Sequence, residues 1–292
     1  MIAGLLTKSM TILLNTNSRP YFGGLGDVCL MAWMAEAAKG TEHEIQFVAE
    51  GGKRLLLECL GQTIGQEDGS SVMPSYCYDM ELADNGRKPR WQYACDFLRL
   101  KTGIKRPVAT IPNELLTWAQ LEREKQGNGP FVVMFPQTHW KPREWPQSSW
   151  LFLGQQLKAN GINPIFMVDR KDERYTSSAT LSYWGFSLAH VMAMMTVADV
   201  IIGNDSFPAH IAGTLGRKTI ALMGPTKDTV FSHIPDVSIL RASNQPCTGC
   251  HFSAPFSQAC DIGCSALYGI SVQDVIDRVK ELLNKPVLRV LQ

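Results

Sequence analysis

The chain has 292 residues with 24 glycines and 16 prolines, and 45% of its residues are hydrophobic and 19% charged. This composition is that of a globular protein long enough for two domains of ordinary size, and it excludes fibrous and low-complexity chains. A formal net charge of +1 excludes an overall field that would recruit nucleic acid or an acidic membrane, but it is compatible with a local basic patch.

The amino-terminal segment is mildly apolar, but Lys8 and Thr11 interrupt it and it lacks the features of a secretory signal. No stretch approaches the ~18–20 apolar residues that are needed to span a bilayer. We therefore expect a cytoplasmic protein without a transmembrane segment.

The first third of the chain predicts an alternation of strands and helices. A short apolar run over 11–15 precedes a glycine-rich turn over 23–26, and a segment rich in Leu, Met and Ala follows over 28–38. This order is typical of strand, turn and helix. The other predictions before residue 127 are a strand over 44–48, mainly loop over 63–90, and helices over 53–60 and 112–126.

A glycine-rich break over 127–130 interrupts this pattern, and we place a domain boundary there, with one domain over 1–128 and a second over 129–292. The strands predicted beyond it are short and continuously apolar, as in a parallel sheet covered by helices on both faces. These strands cover 131–135, 164–168, 200–202 and 219–223, and the helices cover 148–159, 188–197, 208–215 and 272–283. The fold prediction is α/β, with two Rossmann-like domains whose ligand crevices lie at the carboxyl ends of the strands and imply a cleft between the domains.

The first motif is the glycine-rich turn that ends in Gly26 and Asp27. Glycines between a strand and a helix allow close approach of a ligand, and the amides at the helix start favour an anion. The spacing is not the dinucleotide-binding fingerprint, because the third glycine is missing. On the residues alone, Asp27 is either the N-cap of the helix or a catalytic group.

The second motif follows the apolar strand over 200–202. Asp205 and Ser206 are suited to cap the helix that Pro208 begins, with His210 in its first turn and free amides directed at a ligand. A purely structural explanation, a capped helix with a histidine packed in the core, accounts for each of these residues taken one at a time. The Gly-Pro-Thr sequence over 224–226, after the next strand, favours two adjacent loops that serve one phosphate-bearing ligand.

The third motif is the loop after the strand over 131–135. It contains Thr138, Lys141 and Arg143, followed by Trp145. Two cations near a hydroxyl are suited to bind a diphosphate, although cations in a solvated loop are an alternative explanation.

Taken together, these motifs resemble glycosyltransferase family nine, whose best-known members are the ADP-heptose:lipopolysaccharide heptosyltransferases. The similarity in order and spacing covers most of residues 130–285, whereas only the opening turn matches in the first domain. The matching segments are Leu25-Gly26-Asp27, Thr138 with Arg143-Glu144-Trp145-Pro146, Asp172-Glu173, Asp205 through His210, and Gly224-Pro225-Thr226.

The resemblance implies an inverting glycosyltransferase of the GT-B type, which needs no catalytic metal and acts in pathways such as lipopolysaccharide biosynthesis. It implies an acceptor-binding first domain and a second domain that binds the nucleotide-sugar donor. Asp27 becomes the general base for the acceptor hydroxyl, which is a poor nucleophile at neutral pH. Arg143, with Lys141 as a close alternative, and His210 would stabilise the leaving nucleoside diphosphate.

The resemblance also implies a donor-binding set in which Glu173 holds the ribose hydroxyls. Two departures from the family pattern bear on donor identity: Phe207 and Asp169 each stand where the family has a glycine. The complete donor-binding set is Gly26, Thr138, Lys141, Arg143, Glu173, Asp205, Ser206, Phe207, His210 and Gly224.

The donor is expected to be a nucleotide-diphosphate sugar such as ADP-heptose, and the acceptor a lipopolysaccharide core sugar, a protein hydroxyl or a modified base in DNA. The near-neutral charge weighs mildly against DNA. Two alternatives remain open: a catalytically silent nucleotide-sugar binder, and another GT-B-type nucleotide-sugar enzyme such as an epimerase.

Four of the eight cysteines lie close together, with C-x2-C-x9-C-x3-C spacing. Such a knuckle with four thiolates suits tetrahedral zinc or iron, with His251 as a substitute ligand, and four reduced thiols are the alternative. A subset of family nine that heptosylates autotransporter proteins is associated with an iron-holding cysteine site. We favour a structural metal that holds the segment 247–264 and takes no part in transfer. The ligands would be Cys247, Cys250, Cys260 and Cys264.

The other four cysteines are scattered through the first third of the chain. In a reducing compartment they are expected to be core or surface thiols without disulfides. They are Cys29, Cys59, Cys77 and Cys95.

Overall fold

The chain forms two compact units, residues 1–110 and 111–292. The structure is a computed structural model, and it describes residues 10–17, 24–68, 70, 79–81, 83–101, 103–242, 245, 248–250 and 264–285. Within these ranges, every helix is too short or too polar to cross a membrane.

The first unit contains a small parallel sheet with strand order β1-β2-β3. Helix α1 is buried along most of its length and packs against α2, α3 and β2. This burial agrees with its composition, since a helix that is apolar on all sides belongs in a core. The elements are β1 (Met10–Asn15), α1 (Leu25–Ala38), β2 (His43–Val48), α2 (Gly51–Cys59), β3 (Thr63–Ile64) and α3 (Arg90–Leu98).

Three of the scattered cysteines, Cys29, Cys59 and Cys95, are buried in the core of the first unit. Burial raises the pKa of Cys59 and raises that of Cys95 to about 11. Thiols of this kind stay protonated at neutral pH and behave as small apolar core residues. Cys77 lies outside the described residues.

The second unit contains a six-stranded sheet in which every neighbouring pair is parallel, with strand order β6-β5-β4-β7-β8-β9. The strands β4, β7 and β8 are buried throughout, as expected for central strands covered on both faces. The predicted α/β class with parallel sheets is therefore confirmed. The strands are β4 (Phe131–Phe135), β5 (Asn163–Val168), β6 (Leu181–Trp184), β7 (Val200–Asn204), β8 (Thr219–Leu222) and β9 (Val237–Leu240).

The helices of this unit bury a core around two tryptophans. The rings of Trp145 and Trp150 meet edge to face with centroids 5.2 Å apart, and Trp145 Nε1 donates a hydrogen bond to Ile270 O at 3.1 Å. The helices are α4 (Asn113–Glu124), α5 (Gln147–Ala159), α6 (Glu173–Thr176), α7 (Leu188–Val197), α8 (Phe207–Thr214), α9 (Ser265–Tyr268) and α10 (Val272–Asn284).

Helix α4 belongs to the second unit by its contacts. The Trp118 ring lies 5.1 Å from that of Phe186 and 5.0 Å from that of His190, and Tyr183 Oη donates to Glu122 at 2.6 Å. The compact units divide between residues 110 and 111. The glycine-rich break that motivated the domain boundary at 128/129 connects α4 to β4, and the domains over 1–128 and 129–292 stay a prediction.

Candidate functional site

The strand order of the second sheet reverses between β4 and β7. In sheets of this topology, ligands bind outside the carboxyl ends of the strands at the reversal, because the loops there diverge to opposite faces. The loop over 136–146 follows β4, and residues 205 and 206 follow β7. The predicted diphosphate-binding loop and the predicted helix-start motif are thus neighbours in the fold.

Arg143 and Asp205 come together at this point. Arg143 Nε lies 3.2 Å from Asp205 Oδ2, and Arg143 Nη1 donates to Asp205 O at 3.4 Å. The Asp205 side chain is 1% exposed and that of Arg143 22%. Arg143 Cζ also lies 4.9 Å from the centroid of the Trp140 ring. A buried carboxylate and an aromatic face therefore fix the orientation of the guanidinium.

Arg143 keeps donors available for a ligand. A guanidinium has five N–H donors, and among the described residues Nη2 makes no hydrogen bond. Lys141, in the same short turn (Lys141–Arg143), is exposed, and the half-buried Thr138 accepts a hydrogen bond from Trp140 N at 3.4 Å. This loop supplies two cations and a hydroxyl at the carboxyl edge of the sheet.

Asn204 is a site residue to which the sequence analysis assigned no role. It ends β7, is fully buried, donates through Nδ2 to Pro136 O at 2.9 Å and accepts at Oδ1 from Trp145 N at 3.1 Å. It thereby holds both ends of the loop that carries Arg143. A polar residue at the end of an otherwise apolar strand, directly before Asp205, is the signal that could have revealed it.

Replacement of Asn204 by alanine is expected to destabilise the protein by about 2–6 kcal/mol, because a buried N–H and a buried carbonyl each lose a partner worth about 1–3 kcal/mol. Denaturant unfolding measures this change. The exposed Asn113, replaced in the same way, is the control. A loss no larger than that of Asn113→Ala would contradict the role of Asn204.

The loop after β5 is tied to the loop after β4 through Gln137. Gln137 Nε2 donates to Asp172 Oδ2 at 3.2 Å, and Gln137 Oε1 accepts from Asp169 N at 3.0 Å. Asp172 is the N-cap of α6, and hydrogen bonds from Arg174 hold the pKa of its carboxyl below the usual value. Glu173, next in the chain, is exposed, and its role toward the ribose stays a prediction.

The start of α8 carries the remaining residues of the second motif. Ser206 is the N-cap by backbone position but makes no capping hydrogen bond with its side chain. Ser206 and Phe207 are half-buried, whereas His210 is buried and its ring lies 4.3 Å from that of Phe231. His210 therefore packs in the unit, and its part in stabilising a leaving group stays a prediction.

Gly224 is required for packing. A Cβ at this position would lie 2.8 Å from Leu267 Cγ and 3.1 Å from Cys264 Sγ. Gly224 O also accepts from Gly249 N at 3.0 Å. The segments that carry Cys250 and Cys264 therefore both contact the loop after β8.

Cys247 and Cys260 lie outside the described residues. Among the residues that the structure does describe, no group of three or more histidine, cysteine or acidic side chains could hold a metal. The metal site therefore stays a prediction.

Asp27 lies in the first unit, in the first turn of α1. The helix begins at Leu25 with Gly24 as its N-cap, so the interpretation of Asp27 as the cap is wrong. Its carboxylate Oδ1 instead accepts from Arg90 Nη1 at 2.9 Å, while the preceding Gly26 is buried. The catalytic interpretation of Asp27 stays a prediction.

Comparison with known proteins identifies the family. The profile of the family described as glycosyltransferase family 9 (heptosyltransferase) matches residues 59–252, which is more than half of the 292-residue chain. The chain belongs to glycosyltransferase family 9. The matched part of this family member includes the loops around Arg143, Asp205 and Gly224, whereas Asp27 precedes it.

Solved structures of family 9 proteins are similar in fold to this chain. The chain is 14% identical to ADP-heptose lps heptosyltransferase II of E. coli, with 94% of this chain and 98% of that chain covered and a TM-score of 0.59. For the family 9 glycosyl transferase of Veillonella parvula, the identity is 14%, the coverage 94% and 97%, and the TM-score 0.67.

A third similar structure is that of TibC from E. coli, a dodecameric iron-containing heptosyltransferase solved in complex with ADP-D-beta-D-heptose. The identity is 12%, the coverage 95% and 78%, and the TM-score 0.65. At such identities the similarity shows the fold, which is the α/β GT-B type with two Rossmann-like domains. No curated protein sequence matches the chain.

Proposed function

We propose that this glycosyltransferase transfers a heptose or a similar sugar from a nucleoside diphosphate, with ADP-heptose as the leading donor, to a hydroxyl of an acceptor. Transfer inverts the anomeric carbon and uses no catalytic metal. The observation that carries the proposal is Arg143, held by buried Asp205 where the strand order of the second sheet reverses. The complex of TibC with ADP-D-beta-D-heptose supports the choice of donor.

The chemistry of the β4 loop suits a diphosphate. A guanidinium forms paired, charge-assisted hydrogen bonds to phosphate oxygens, and its planar shape makes them directional. Since Asp205 and Trp140 already fix Arg143, little reorganisation is needed when negative charge develops on the leaving group. Lys141 adds a second positive charge in the same turn.

In the proposed reaction, the carboxylate of Asp27 removes the proton of the acceptor hydroxyl. The hydroxyl oxygen forms a bond to the anomeric carbon from the face opposite the leaving group, and the bond from that carbon to the diphosphate oxygen breaks. The released electron pair stays on the diphosphate, where Arg143 and Lys141 stabilise it. A general base in this position accounts for about 10²–10⁴-fold of the rate.

The function is tested with ADP-heptose labelled in the sugar. The protein is incubated with three acceptor pools: lipopolysaccharide from cells that lack heptose, total protein from such cells, and DNA with hydroxylated bases. We expect label in one pool, with one ADP released per sugar transferred. Donor binding without transfer would establish a silent binder, and recovery of an isomerised nucleotide sugar would establish an epimerase; either result contradicts the proposal.

We further propose that the cysteine segment holds a structural zinc or iron through Cys247, Cys250, Cys260 and Cys264. Two observations support this: Cys264 Sγ occupies the space that a side chain at position 224 would need, and Gly249 N donates a hydrogen bond to Gly224 O. They keep two of the ligand-bearing segments at one loop. Thiolates are the ligands that these metals prefer in such sites. The similar TibC is an iron-containing protein.

Replacement of Cys264 by serine is expected to reduce the bound metal from one ion per chain to a small fraction and to lower the melting temperature. Transfer per folded molecule should remain, because the metal stabilises a loop and takes no part in the reaction. Elemental analysis and thermal melting measure both effects. Cys95→Ser, which also removes a buried thiol, should keep the metal; equal metal content in the two variants would contradict the site.

A further inference from the structure

Three charged side chains of the first unit form a continuous chain of ion pairs. Arg90 Nη1 lies 2.9 Å from Asp27 Oδ1, and Arg90 Nε lies 2.7 Å from Glu81 Oε2. The side chains are 27% exposed for Asp27, 16% for Arg90 and 0% for Glu81. The arrangement thus leads from a fully buried carboxylate to the partly exposed carboxylate of α1.

Glu81 needs Arg90 because a buried carboxylate without a partner is strongly destabilising. That requirement explains the pair between Glu81 and Arg90, which are nine residues apart. It does not explain the second ion pair of the guanidinium, in which Arg90 Nη1 donates to Asp27, 63 residues away in the chain. The buried pair fixes the position of Arg90, and the fixed guanidinium then determines where the Asp27 carboxylate lies.

The arrangement leaves half of the Asp27 carboxylate available. Oδ1 is engaged by Arg90, whereas Oδ2 makes no hydrogen bond within the described part of the chain.

We propose that Arg90 is a positioning residue for the reaction, that it orients Asp27 so that Oδ2 meets the acceptor hydroxyl, and that Glu81 is its counter-charge. The proposal rests on the proposed function, in which Asp27 is the general base. Small displacements of a reacting group reduce rates by up to about 100-fold, so a residue that fixes the base has a large effect without touching substrate.

The test uses the labelled-donor transfer assay with the intact protein. The main variant is the double replacement Arg90→Met with Glu81→Gln, which removes both charges and leaves no unpaired buried carboxylate. We expect a fold close to that of the wild type by circular dichroism, a kcat lower by about 10–100-fold, and an unchanged KM for the donor. Arg54→Met, in the exposed ion pair with Glu58, is the control and should leave kcat unchanged.

Two further variants make the outcome decisive. With Asp27→Asn already present, the double replacement should cause no further loss, because it acts only through Asp27. Arg90→Lys retains the charge but not the forked geometry, and it should recover part of the lost kcat. If the double variant does not fold, Arg90→Lys carries the test alone: a lower kcat with unchanged KM supports the proposal, and an unchanged kcat overturns it.

The two proposals fail in different ways. A folded double variant with the kcat of the wild type overturns the role of Arg90, even where Asp27→Asn is inactive. If Asp27→Asn itself retains full transfer, the assignment of the base is wrong and the positioning role fails with it.

Discussion

Replacement of Asp27 by asparagine is expected to lower the transfer rate by about 10²–10⁴-fold, which is the usual contribution of a general base. The amide is nearly isosteric with the carboxylate but accepts no proton at neutral pH, so the acceptor hydroxyl would attack unassisted. The hydrogen bond from Arg90 to Oδ1 can be retained by the amide oxygen, and the fold should therefore persist. Steady-state transfer of labelled sugar measures the effect.

The change should leave donor affinity unaltered, because the predicted diphosphate-binding side chains belong to the second unit. Calorimetric titration with ADP-heptose checks this separation of binding from chemistry. Asp96→Asn is the matched control, because Asp96 is also paired with a cation, Lys88, in the first unit. If Asp27→Asn turns over at the wild-type rate, Asp27 is not the general base of the proposed reaction.

Replacement of Arg143 is expected to have the second large effect. A hydrogen-bond donor that stabilises the charge developing on the leaving group contributes about 10²–10³-fold to the rate. Arg143 should also contribute to the affinity for the nucleotide sugar in the ground state. Arg143→Met leaves Asp205, which is 1% exposed, as a buried carboxylate without its cation. The double variant Arg143→Met with Asp205→Asn avoids that penalty and is the variant of choice.

We expect this double variant to fold, to bind ADP-heptose more weakly and to lose most of the transfer rate. Arg143→Lys should retain more activity than Arg143→Met, because lysine keeps the positive charge although it lacks the planar, forked guanidinium. Arg278→Met, which removes a cation from α10, is the control. Transfer rates of the double variant equal to those of Arg278→Met would exclude Arg143 from the donor site.

Much of the second unit could be predicted from the sequence because its central strands are buried on both faces. The runs that became β4, β5, β7 and β8 are almost wholly apolar, and such runs are easy to recognise. The strands β6 and β9 were missed. They form the two edges of the sheet, where partial exposure allows mixed sequences such as Leu-Ser-Tyr-Trp and Val-Ser-Ile-Leu.

The candidate site was predicted less completely, since its side chains depend on partners that are distant in sequence. Asp27 was recognised as a candidate. Its partner Arg90 was not, because no helix or strand was predicted between residues 63 and 111, where the structure has α3. Asn204 was assigned no role because its two hydrogen bonds reach Pro136 and Trp145, in a loop more than 50 residues earlier in the chain. The packing role of Gly224, whose missing side chain accommodates Cys264 and Leu267, was not predicted, and its contact with the donor stays a prediction.

The central claim is that the carboxyl edge of the second sheet binds a nucleotide-diphosphate sugar, and a thermal-shift panel of nucleotide sugars tests it most directly. Binding to the folded state alone raises its stability according to affinity, by about 2.7 kcal/mol at a concentration of 100 times Kd. We predict the largest rise in melting temperature with ADP-heptose or another purine-linked sugar. A panel in which only free nucleotides, or no compound at all, shift the melting temperature would contradict the claim.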